Sequence, residues 1–598
     1  MNHWLVTAVL LASVAAAQAD TPAVRALPSD VDRSPVDLVL TADERLLITA
    51  NRTSDSVSLV ELPSGRVLDE APCGHRPAAI AISPAGDRVY VTCTHSGELH
   101  CFAIDNSKLV PRGSLHLGFA PVGLAIHPDG AEAFVALSEA GAVAVVDLAS
   151  MQIRAQIAVG RWPRSLALTS DGRRLAVGLS GEMGVAVVDA RERDLLFVES
   201  FAGLNLGQIQ ISSDNRHAYV PWIAYGSNPI TAQNIRRGWV IASRIARVRL
   251  DTPARREALA LDKRGEAVGD PHGLALSPDE AWLAVAASGS HELLVFRTVG
   301  LPLMDYGGPG DTIDEALVAD SNRFFRIPLG GRPMAIRFAR DGDRVFVANY
   351  LNSEVQIVSI GQRRIVQAIP LGSAANPSPS RQGEAIFYDA QRSLDQWYSC
   401  HSCHYEGGTN AVKMDTRNDG SFGSFKTVLD LHHLEHTGPW TWHGWQTDLS
   451  AALRKSLTDT MLGPEPRDDD VAALRAYLAS LEPPSNPYRN SDGSLSPAAQ
   501  RGRQVFASEQ GGCSQCHCGP YFTDGELHDL GLGSKTDTYR GFNTPSLLGV
   551  HRRVRLLHDG RATSLEQVLT GDHAPQRVSG GQLSDADVAD LIAYLRSL

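Results

Sequence analysis

Two short runs carry the chemistry most readable in this chain: Ser399-Cys400-His401-Ser402-Cys403-His404 and Gly512-Cys513-Ser514-Gln515-Cys516-His517. Each offers two thiols one helical turn apart and a histidine directly behind them. That spacing suits thioether bonds from Cys400, Cys403, Cys513 and Cys516 to the vinyl groups of two c-type haems, with His404 and His517 on the irons. A lone copy could serve as a redox disulfide or as half a zinc site. Two copies with no second cysteine pair near either favour two covalently bound haems.

The elements around the two motifs repeat. Gln382 to Phe387 precedes the first, and Trp442-His443-Gly444, Leu449 and a closing stretch Asp470 to Leu478 follow it. Arg501 to Phe506 precedes the second, and His558-Asp559-Gly560, Leu565 and Asp587 to Leu595 follow. Each closing stretch has helical periodicity, so the expectation is two all-α cytochrome c-like domains, residues 376–484 and 485–598, separated at Pro483-Pro484-Ser485-Asn486-Pro487.

The N-terminal part repeats differently. From Pro35 to about Leu371, a unit of about forty residues recurs seven times, each with a Ser/Thr-Pro-Asp-Gly-like turn between short apolar strands. His127-Pro128-Asp129-Gly130, Thr169-Ser170-Asp171-Gly172 and Ser277-Pro278-Asp279-Glu280 are examples. Four strands per unit predict a seven-bladed all-β propeller over residues 20–375. Runs such as Tyr90-Val91-Thr92 resemble the YVTN-type propellers. Two longer stretches, Pro221 to Ser243 and Gly300 to Asn322, interrupt the repeat and are expected to pack on the haem-bearing part or to receive a partner.

Residues 1–19 read as a secretory signal, apolar from Leu5 to Ala17 and ending Ala17-Gln18-Ala19. No later stretch has the roughly eighteen uninterrupted apolar residues of a membrane helix, and the expected location is the periplasm. A formal net charge of -12 argues against nucleic acid as a partner. Of the eight cysteines, Cys93 and Cys101 flank a short turn and could pair or stay as separate buried thiols. Cys73 and Cys518 have no evident role.

The paired haem motifs, Phe542-Asn543-Thr544-Pro545-Ser546-Leu547-Leu548, His558-Asp559-Gly560 and Trp442-His443-Gly444-Trp445 together resemble the bacterial di-haem cytochrome c peroxidase and MauG family. The resemblance covers roughly the last two hundred residues. It implies a periplasmic oxidoreductase in which the His404 haem reacts with hydrogen peroxide and the His517 haem stores or relays the oxidising equivalent. The ultimate reductant would be an electron donor or protein substrate docked on the propeller, and Trp442 would sit between the haems. Repeat alignment sets Met461 against His573, making these the candidate sixth ligands. The family's acidic residue falls on Thr460, so Asp459 or Glu465 stands as the substitute acid/base. No histidine lies between His404 and His432, which resembles the MauG branch. Calcium between the haem domains is common in the family, though no oxygen-rich loop demands it. The rival expectations are a non-enzymatic electron carrier, with both irons saturated by Met461 and His573, and a propeller scaffold or sensor.

Overall fold

The computed structural model describes residues 30–304, 308 and 310–598. The expected signal segment lies outside these. Seven antiparallel sheets follow one another along the described chain. They span Pro35–Pro72, Pro77–His116, Pro121–Ala158, Pro163–Ser200, Gly203–Ala260, Pro271–Pro328 and Pro333–Pro370. Six have four strands and the fifth has five. The first strand of each blade packs beside that of the next, and the seventh returns to the first, so the propeller is seven-bladed as expected.

The turns explain why the repeat is so regular. In four blades a hydroxyl donates to the carboxylate two residues on, at 2.6 Å each: Thr41 to Asp43, Thr169 to Asp171, Ser212 to Asp214 and Ser277 to Asp279. Such side-chain turns fix the reversal locally and free the strands to be chosen for packing. The middle strands of the blades are buried on both faces, and the ring closes through Leu38, Leu47 and Val60 of blade one against Phe346 and Ile357 of blade seven. Arg337 adds an ion pair to Asp37 across the same seam, 3.1 Å.

Cys93 and Cys101 do not pair. The hairpin register sets Cys93 opposite Glu98 and Tyr90 opposite Cys101. The three-residue offset sends Cys93 into one inter-blade cluster and Cys101 into the other. Both are free thiols.

After the propeller come two similar helical arrangements. The Pro379–Phe387 helix crosses the Asp468–Ala479 helix, and the Pro497–Ala507 helix crosses the Asp585–Arg596 helix. The crossing points correspond. A Cβ on Gly383 would stand 1.9 Å from the Ala473 carbonyl oxygen, and one on Gly502 would stand 1.9 Å from that of Asp590. Four residues on, Phe387 packs on Tyr477 at 5.2 Å and Phe506 on Tyr594 at 5.3 Å between ring centroids. The backbones therefore touch, and only glycine permits it. We expect Gly502→Val to destabilise this unit by about 3 kcal/mol or more through overpacking, read as a fall in its denaturation midpoint; an unchanged midpoint would contradict the close crossing.

No helix among the described residues is long and apolar enough to cross a membrane. The blade-five insertion is narrower than expected, running 226–240, because Pro221–Tyr225 and Ile241–Ser243 belong to the flanking strands. It carries the Ala232–Arg236 helix, capped by Thr231, and packs on the first helical unit as anticipated. Ile230 N–H donates to the Asp415 carbonyl at 2.9 Å, and Arg236 pairs with Asp395 at 3.3 Å. The blade-six insertion is pinned beneath it: the buried Arg244 pairs with Asp262 at 3.1 Å and donates to the Gly308 and Asp311 carbonyls.

Candidate haem sites

Each Cys-x-x-Cys-His motif opens onto its own cavity. The first, about 350 Å³, is bordered by Cys400, Cys403, His404, Met461 and Trp442. The second, about 190 Å³, is bordered by Cys513, Cys516, His517, His573 and Trp442.

The proximal histidines are set alike. His404 Nδ1 stands 2.9 Å from the Leu429 carbonyl and His517 Nδ1 stands 3.2 Å from that of Phe522. Donation from Nδ1 fixes the tautomer and leaves Nε2 as a lone-pair donor, the arrangement an axial ligand needs. Burial lowers the His404 pKa and takes that of His517 down to about 4, so both imidazoles are neutral at pH 7. Burial raises Cys400 and Cys403 to about 12, which keeps those thiols un-ionised.

The second cavity has a further feature. The His517 and His573 rings are 6.4 Å apart between centroids. Two imidazoles that each bind one metal at about 2 Å from opposite sides span such a gap. The residues therefore fit a haem iron held by a histidine on each side. Met461 is buried, and its Sδ lies 3.8 Å from Cys400 Sγ, at the anchoring edge of the first cavity.

Asp459 and Glu465 do not line the first cavity, so neither is placed to act as an acid or base there. The chain makes a π-turn over Ser456–Thr460, and its extra residue per turn shifts the phase that sequence periodicity assumes. Asp459 faces Lys455 at 3.8 Å and is half exposed; Glu465 is exposed and pairs with Arg454 at 2.6 Å. Thr460 does line the cavity, its hydroxyl accepting from Asn418 Nδ2 at 2.6 Å.

Trp442 borders both cavities. Its Nε1–H donates to the Thr427 carbonyl at 2.7 Å, which fixes the indole plane. Beside it, Phe542 is sandwiched between His443 at 4.6 Å and His558 at 4.1 Å, both stacked. In the repeat His558 corresponds to Trp442 and Asp559 to His443, and each turn ends on a left-handed glycine, Gly444 or Gly560. Of the histidine-rich run, His432 pairs with Asp430 at 2.6 Å and borders the first cavity. His436 stacks on Tyr521 of the second unit at 4.4 Å.

The propeller grips the first motif with residues that sequence reading did not single out. Asp270 accepts hydrogen bonds from Ser399 and Ser402, 2.6 Å each, and Asn205 Nδ2 donates to the Ser402 carbonyl at 2.9 Å. All four residues are buried. We expect Asp270→Ala to destabilise the fold by about 2–3 kcal/mol, since two buried hydroxyls lose their acceptor, and to lower first-site haem occupancy. The ratio of haem absorbance to protein checks this, and unchanged occupancy and melting would contradict it.

Among the described residues, one group of three metal-ligating side chains comes together: Cys516, Asp524 and His528. It has a single carboxylate and includes a thiol of the second motif, so it is not the oxygen shell that calcium takes.

Residues 30–221 match a family model described as YNCE-like beta-propeller. Hydrazine synthase subunit gamma of Kuenenia stuttgartiensis is 27% identical over 36% of this chain and 77% of its own length. Cytochrome-c peroxidase IdrP2 of Denitromonas iodatirespirans is 24% identical over 39% of this chain and 84% of its own. Methylamine utilization protein MauG of Methylorubrum extorquens is 25% identical over 38% and 80% respectively. Fold and sites define a propeller joined to a helical part with two Cys-x-x-Cys-His cavities. These similarities support a place in the MauG/di-haem peroxidase family, with a β-propeller as well.

Proposed function

We propose that the protein is a periplasmic di-haem c-type oxidoreductase that uses hydrogen peroxide to oxidise a protein partner or a reduced electron donor. The relatives named peroxidase and MauG support the oxidoreductase part of this reading. The observation that carries the rest is that one indole, Trp442, borders both cavities while each cavity has its own neutral histidine with Nε2 free.

The four motif cysteines would tether two haems, with His404 and His517 on the irons and His573 opposite His517. Haem supplies the redox chemistry when bound, and an iron with one free axial position is open to peroxide. The polypeptide sets which site that is. His573 closes the second site to small molecules. Met461 packs at the thioether edge of the first, and no imidazole lies between His404 and His432 in sequence, which favours an open position there. Leu449 and Leu453 give the first cavity's helical wall an apolar surface.

The propeller then acts as a docking platform. Leu195, Leu196 and Val198 on the outer strand of blade four, with Ile153 on the neighbouring outer strand, expose an apolar strip that suits a protein partner. The test is peroxide-dependent oxidation of a reduced c-type cytochrome by the ferric holoprotein. We expect turnover that disappears in a Cys400→Ala/Cys403→Ala variant. Absence of any peroxide-dependent oxidation in the wild type would overturn the reading.

A further inference from the structure

The axis of the propeller holds a chamber of about 630 Å³ whose wall is formed by the innermost strands of all seven blades. The haem-bearing part closes one end of it. The closing segment is Tyr405-Glu406, the two residues directly after His404, with Glu406 in a left-handed turn at φ 54°.

Charge is distributed unevenly around that closure. Asp37 and Asp430 on the chamber wall have charged partners, and Glu139 has a histidine nearby but no hydrogen bond to it. Asp37 faces Arg337 at 3.1 Å, Glu139 faces His551 at 3.7 Å, and Asp430 faces His432 at 2.6 Å and Arg552 at 3.8 Å. Glu406 is shared by two guanidinium groups, Arg52 at 2.7 Å and Arg332 at 3.0 Å. Arg164, from blade four, stands over the Tyr405 ring at 3.8 Å and the Trp162 ring at 4.9 Å, and no ion pair to a carboxylate forms there among the described residues. Burial, only partly offset by Tyr405 and Glu406, lowers its pKa.

Three guanidinium groups thus converge on one carboxylate, an excess of two positive charges. Asp270, held by Ser399 and Ser402 on the far side of Arg332, offsets at most one. Unpaired nitrogens also lie on the chamber wall: Arg52 Nε, a donor, and His95 Nδ1 are buried with no hydrogen-bond partner. Arginine stays protonated in proteins, and a buried charge without a counter-charge costs several kcal/mol. A chamber with at least one surplus positive charge, unpaired nitrogens and room for a solute is built for an anion.

We propose that this chamber binds a small anion, an oxyanion or a carboxylate, at Arg164 beneath the Tyr405-Glu406 turn. Occupancy would place a negative charge against the segment that continues from His404, on the propeller side of the first haem site. The binding does not depend on the peroxide reaction, so the two readings stand or fall separately.

Calorimetric titration of the ferric holoprotein with sodium nitrate and with sodium sulfate at low ionic strength tests this. Haem propionates are already in place in that material, so a propionate at Arg164 would leave nothing to titrate. We expect saturable one-site binding for at least one of the two salts, at least tenfold weaker in Arg164→Gln and largely kept in Arg164→Lys. Crystals of the wild-type holoprotein soaked in bromide should show an anomalous peak beside the Arg164 guanidinium, a readout that stands even where the glutamine variant does not fold. No saturable binding of either anion, undiminished binding in a folded Arg164→Gln, or bromide confined to the outer surface would overturn the proposal.

Discussion

Trp442→Ala should slow peroxide-dependent oxidation by about 100-fold, equivalent to ~2.7 kcal/mol on the limiting barrier, while leaving haem content and the resting spectra of both sites in place. The indole is the aromatic group that borders both cavities, and its ring is held by the bond from Nε1 to the Thr427 carbonyl. Removing it replaces a polarisable bridge by a void. Trp442→Phe keeps an aromatic body but loses the anchoring hydrogen bond, whose net worth is about 1 kcal/mol. The expected loss there is about tenfold. Steady-state oxidation of a reduced cytochrome measures both. Equal turnover in the wild type and the alanine variant would remove Trp442 from the path between the sites.

His573→Ala should convert the second site from a six-coordinate to a five-coordinate iron. The basis is the 6.4 Å separation between the His517 and His573 rings, the span of one metal held from both sides. His573 is partly buried, and that burial lowers its pKa, which favours the neutral imidazole with a lone pair to donate. The optical spectrum of the ferric variant should gain a high-spin component equal to one haem, and added imidazole should restore the low-spin form. A His573→Ala spectrum identical to that of the wild type would show that His573 is not a ligand.

The propeller could be read from the sequence because its turns are local. The hydroxyl-to-carboxylate bonds of Thr169 and Asp171, or Ser277 and Asp279, form within two residues, so spacing alone displays them. The same holds for the haem motifs, and for the duplicated Gly383 and Gly502, whose meaning is a helix crossing seen in both copies. What stayed hidden depends on partners far along the chain. Asp270 meets Ser399 across 129 residues and Arg332 meets Glu406 across 74, and no pattern in either segment marks them. Backbone phase decided two points that the sequence left open. Cys93 and Cys101 are separated by the hairpin register, and the π-turn at Ser456–Thr460 carries Asp459 to the surface. The second cavity brings His517 and His573 together, while the first has Thr460 rather than Asp459 or Glu465 on its wall, with Asp415, Asp419 and Asp430 elsewhere around it.

The central claim is that one polypeptide holds two haems in unequal environments, the His404 site open and the His517 site closed by His573. Electron paramagnetic resonance of the resting ferric holoprotein tests it most directly. We expect a high-spin and a low-spin signal in equal amounts, with the high-spin signal missing from a Cys400→Ala/Cys403→Ala variant. Two low-spin signals, with no high-spin iron in the wild type, would contradict it.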